Sequence, residues 1–150
     1  MLKFWKIAVL CAALLFTGAL QTFAKQKEPV EKLIAEASAA GDHQAELYAR
    51  VVQREVEIAG ERFNAGDSQA GRAAAAAAVQ YGEKSLAAAQ QHQKNLKKTE
   101  IILHESARSL STVQQALDYD DSIAVKAAVE QLNKLDSRIL EIMFAPPEKK

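Results

Sequence analysis

Apolar residues recur along this chain at the three-and-four spacing of a helix face and nowhere alternate over the length of a strand, which predicts an all-α fold. The longest feature is Asp67 to Leu117, a stretch without proline and interrupted only by Gly71 and Gly82. It contains the run Ala73 to Ala78, the residue type of highest helix propensity. Asp67 follows Gly66, where its side-chain oxygen can cap the first turn. Leu96, Leu103, Leu110 and Leu117 recur every seven residues, and the same register runs back through Ala89, Gly82 and Ala75. One stripe therefore changes from small to large along its length. A small-residue seam lets a partner helix come close, whereas a leucine seam needs a wider spacing. The segment Gln90 to Asn95 is polar but carries no breaker, so the pattern reads as one helix over 67–117, about 75 Å long at about 1.5 Å per residue.

On either side the punctuation is sharper. Pro29 opens a helix over 29–40 with Val30, Leu33, Ile34 and Ala37 on one face, and Gly41 suits the left-handed position that ends it. Asp42 is then placed to cap a second helix over 42–65. That helix carries two apolar stripes, Tyr48, Val52, Val56, Ala59 and Phe63 on one and Leu47, Val51 and Ile58 on the other. So wide an apolar surface must be covered on more than one side. The last helix, over 120–144, has Asp120 or Asp121 as its cap and Val125, Ala128, Leu132, Leu135, Ile139 and Ile142 on heptad a and d positions. Short connections make neighbours antiparallel. The expected architecture is four helices (about 29–40, 42–65, 67–117 and 120–144) arranged as antiparallel hairpins built on one long central helix. The helix over 42–65 takes its alanine half, Ala70 to Ala89, and the last helix takes its leucine half.

The first residues change the picture from shape to compartment. Lys3 and Lys6, the apolar run Ile7 to Leu20 and the small-x-small triplet Thr22-Phe23-Ala24 predict a secretory signal peptide over 1–24. Export to a periplasmic or extracellular space follows, with contact to a membrane only if this segment stays uncleaved. Residues 25–28 read as a linker, 29–144 as a single helical domain and 145–150 as a disordered tail. Cys11 belongs to the apolar run, because Leu10 stands where lipidation signals carry a small residue. Cleavage after Ala24 removes the only cysteine and the only tryptophan, and with them any disulfide or thiol chemistry. Without Lys3 and Lys6, seventeen basic residues face nineteen acidic ones, a net charge of −2. That balance gives no electrostatic case for nucleic acid or anionic lipid.

Candidate chemistry is sparse. Glu100 and His104, one turn apart, offer two metal ligands on one helix face, but no third ligand is indicated and a solvated pair is the expected state. Lys94, Lys97 and Lys98 among Gln90, Gln91 and Gln93 form a polar basic patch whose ordinary role is a solvated face. Asp118, Asp120 and Asp121 make an acidic corner suited to capping, since a calcium loop needs further oxygen ligands and a glycine. No nucleophile elbow is present, and His104 and Ser106 lie two apart on a helix and face different ways. Haem attachment lacks its Cys-x-x-Cys-His. The expectation is thus a non-enzyme with no catalytic, cofactor or metal residue.

Two stretches resemble known families. Ala40-Gly41-Asp42-His43-Gln44-Ala45 recurs as Ala65-Gly66-Asp67-Ser68-Gln69-Ala70, and both resemble the inter-helix corners of exported helical proteins of the tetratricopeptide-like kind. Their spacing is twenty-five residues, against roughly thirty-four in that repeat. Leu110-Ser111-Thr112-Val113-Gln114 resembles the Leu-Thr-x-x-Gln motif of Spy-type periplasmic chaperones, with serine in place of the threonine and a single copy. The first resemblance is to helical-hairpin corners, and neither assigns a residue a role. The predicted export, the helical pattern and the absence of chemistry lead to the expectation of a module that binds a protein partner or itself; the second resemblance adds to the alternative, a periplasmic chaperone that shields apolar client segments.

Overall fold

The computed structural model describes residues 27–146, and all regular structure among them is helical. The helices are α1 (Val30–Ala39), α2 (Gln44–Asn64), α3 (Ser68–Gln91), α4 (Leu96–Gln115) and α5 (Tyr119–Phe144), with a 3-10 turn, Gly41–His43, between α1 and α2. The predicted signal peptide over 1–24 lies outside the described residues, as do 147–150 of the predicted tail. Lys27 and Glu28 are the described part of the predicted linker.

The continuous central helix is corrected. It breaks at His92 to Asn95 into α3 and α4, giving five helices among the described residues rather than four. His92 is extended, and Asn95 has a left-handed φ of 56° without being glycine. Asparagine is one of the few side chains that visit this region at low cost. Long-range ties fix it there. Asn95 Nδ2 donates to Glu46 Oε2 at 2.8 Å and lies 2.8 Å from His43 Nδ1, while Lys94 pairs with Asp42. The gain that outweighs the lost turn is burial. Folding α4 back brings Leu103 and Leu110 into one cluster with Val52, Val56, Ala78, Leu132 and Ile139, whereas a straight rod leaves two separate hairpins each with an open side.

Three hydrogen bonds give the helix directions. Ser85 Oγ donates to Ala45 O at 2.7 Å, so α2 and α3 are antiparallel. Ser68 Oγ donates to Asp121 Oδ2 at 2.5 Å, which puts the starts of α3 and α5 at one end of the bundle. The Asn95 to Glu46 bond puts the starts of α2 and α4 at the other. The expected pairings of α2 with α3 and of α4 with α5 are present, and α2 also packs on α4 and α3 on α5. The result is a ring in the order α2, α3, α5, α4, with the α3–α4 corner crossing its diagonal.

The heptad seam of α5 is buried as expected from Val125 to Ile139, with Ile142 half-buried. The two glycines of α3 are packing devices rather than weak points. A Cβ on Gly82 would lie 2.7 Å from Leu135 Cδ1, and one on Gly71 would lie 2.8 Å from the ring of Phe63. Capping differs from expectation at two corners. Asp67 caps α3 through Ala70 N at 3.1 Å, but Asp42 makes no cap bond to α2 and turns instead to Lys94. Helix α5 starts at Tyr119, one residue earlier than expected, so Asp118 caps it through Asp121 N at 3.0 Å. That leaves the Asp121 side chain free to reach α3. Helix α1 lies along α2, burying Leu33 and Ala37 next to the second α2 stripe, in which Val51 is fully buried.

Candidate functional site

The outer faces of α3 and α5 meet in a groove of about 350 Å³ whose walls are nearly all small and apolar. Ala75, Ala76 and Val79 of α3 face Ala124, Ala127 and Ala128 of α5 across it. Its shape follows from the sequence. Two parallel helices that both present alanine leave a shallow trough where larger side chains would fill the space. Ala76, Ala124 and Ala127 are exposed, and Ile123 beside them is 52% exposed. One end is set by Arg72, whose Nε lies 2.7 Å from Asp121 Oδ1.

A second hollow of about 650 Å³ lies between α1, α2 and α4. Its lining is mostly charged, with Lys27, Glu28, Arg50, Arg54 and Glu57 around Leu33 and Ile102. Lys27 bonds Glu61 at 2.7 Å and lies 3.4 Å from Glu57, and Arg54 reaches Glu57 at 3.0 Å. These charges neutralise one another, so the hollow has no dominant sign to present to a ligand. Elsewhere on α2 Glu55 is buried, and burial together with the charge of Glu31 raises its carboxyl above the ordinary range against the pull of Arg54.

The residues singled out in the sequence distribute as follows. Lys94 of the basic patch is tied to Asp42, whose carboxyl is lowered mainly by that hydrogen bond; Lys97 and Lys98 are exposed. Asp118, Asp120 and Asp121 do not converge: the first caps α5, the second is exposed and the third is buried against Ser68 and Arg72. Ser106 is buried and donates to Ile102 O at 2.7 Å, away from exposed His104.

Glu100 and His104 gain a neighbour that the sequence reading did not supply. Asp136 of α5 stands opposite, with its Oδ2 3.2 Å from His104 Nδ1, and one ligand atom from each of the three residues lies within 4.8 Å of the others. The sequence carried no signal for it: Asp136 follows Leu135 at the edge of the heptad seam, a flanking position where a charged residue is ordinary, yet the fold buries it. Among the described residues no helix is long and apolar enough to cross a membrane. No family model, curated protein or solved structure matches the chain.

Proposed function

We propose that this chain is an exported, non-catalytic helical bundle that binds a helix of a partner protein in the groove between α3 and α5. The observation that carries the reading is the asymmetry of the ring. Its α2 side is flanked by α1, whose Leu33 and Ala37 are buried there, whereas the α3–α5 side has no covering helix among the described residues. The trough floored by Ala75, Val125 and Ala128 admits the close approach of a helix backbone. Alanine walls lose little side-chain entropy on binding, which favours a defined helical partner.

A photo-crosslinking side chain placed at Ala127 in the cellular protein tests this directly. The expected result is one discrete adduct that disappears when Ala76→Glu is added, with no adduct from the same probe at Gln53 in the charged hollow. Equal labelling from both positions, or none from Ala127, overturns the reading. An adduct of twice the chain's mass identifies the partner helix as that of a second copy. The chaperone alternative calls for a broad apolar surface. Among the described residues the exposed large apolar side chains are Ile101, Tyr119, Ile123 and Phe144, spread over α4 and both ends of α5. Suppression of a model client's aggregation at equimolar ratio would favour that alternative instead.

A further inference from the structure

We infer that Glu100, His104 and Asp136 form a binding site for a divalent transition-metal ion of the zinc class across the α4–α5 seam. Asp136 is the decisive residue. Only 6% of it is exposed, yet its Oδ1 has no hydrogen-bond partner, since the contact to His104 is made by Oδ2. A buried carboxylate oxygen without a partner has lost its hydration with nothing in exchange. An ion pair between His104 and Asp136 alone therefore leaves the site half satisfied. Asp136 Oδ2 and the imidazole of His104 meet across the seam, and Glu100, one turn before His104, brings a second carboxylate within 4.8 Å of them.

The donor set fits the ion. One imidazole nitrogen and two carboxylate oxygens are ligands that zinc accepts at about 2.0–2.2 Å. Two anionic oxygens and a neutral imidazole balance the charge of a divalent cation, whereas magnesium and calcium prefer all-oxygen cages. Ligand atoms about 2.1 Å from a tetrahedral ion lie about 3.4 Å apart, closer than the 4.8 Å limit within which these three now fall. Glu100 and His104 sit at the solvent rim, so rotation of their side chains closes the gap onto buried Asp136. Three protein ligands leave a fourth position for water on the exposed side.

Isothermal titration of the chelator-stripped protein with zinc chloride gives the first readout. One equivalent is expected to bind, and binding is expected to weaken at least ~10-fold in His104→Ala and in Asp136→Asn. Zinc should raise the Tm of the wild type but not of either variant, and cobalt should give the visible absorption of a tetrahedral site in the wild type alone. His104 is exposed, so its alanine variant folds even if Asp136→Asn does not. The remaining imidazoles supply the control: the double variant His43→Ala and His92→Ala must keep the tight equivalent. Loss of binding in that double variant, or an unchanged affinity in His104→Ala, overturns the site.

Discussion

The two parallel helix pairs of the ring, α2 with α4 and α3 with α5, carry opposite surfaces. The first pair has α1 beside it and a hollow lined by mutually neutralising charges; the second has an alanine-walled trough. Both rest on the same core, in which Leu103, Leu110, Leu132 and Ile139 are fully buried. Stability therefore resides in the shared interior and in α1, while the α3–α5 surface contributes little to it. The floor of that face belongs to the core, and its exposed rim of Ala76, Ala124 and Ala127 is what folding leaves open.

The comparison can be broken by perturbing each region in turn. Leu132→Asp places an unpaired charge in the shared core, so both faces should fail together, with a loss of several kcal/mol, about 3–5, in urea unfolding. Leu33→Ala removes the buried anchor of α1 and should cost about 2–3 kcal/mol. Ala76→Glu, on the trough wall, should change stability by less than about 0.5 kcal/mol. Similar losses for these two would mean that the α3–α5 face is part of the stabilising structure, contrary to the contrast drawn above. Gly82→Ala should cost about 1 kcal/mol, because crowding against Leu135, at about 1–3 kcal/mol, outweighs the roughly 1 kcal/mol gain in helix propensity. A gain in Tm would show that the Leu135 side chain gives way to the added methyl.

The two faces should also differ in their response to pH. Glu55, on the charged side, has its folded carboxyl raised above the ordinary 4.5. A raised acid contributes stability that is fully present below the unfolded value and is lost as pH rises through the folded one. Glu55→Gln should thus stabilise the protein at pH 7, and the advantage should vanish below about pH 4.5. Parallel stability curves for the two proteins from pH 7 to pH 4 would sink this account.

Helix type, most element boundaries and both hairpin pairings were legible because each rests on local chemistry: Gly41 and Gly66 have the positive φ expected of helix ends, Asp67 caps α3, and the α5 heptads are buried. The break at Asn95 was not, because the residues that hold it, Asp42, His43 and Glu46, lie near position 45 and nothing in QQHQKN itself stops a helix. The two copies of the Gly-Asp corner make the same point. Asp67 serves its own helix, whereas Asp42 is drawn to Lys94 on another corner. Asp136 went unseen for the same reason: its partner His104 is thirty-two residues away. The alanine trough was half visible, since the small stripe of α3 was evident but its pairing with the exposed alanines of α5 depends on the ring order.

That ring order has a kinetic consequence. The α2–α3 and α4–α5 hairpins close over short stretches of chain, but the side-chain ties from the α3–α4 corner to the start of α2 join residues about fifty positions apart. Loop closure of that length becomes favourable only once the hairpins exist. Docking of one finished hairpin onto the other, clasped by Asn95, is therefore expected as the last event of folding. Stopped-flow refolding of Asn95→Ala should show the docking phase slowed and the earlier helix signal unchanged.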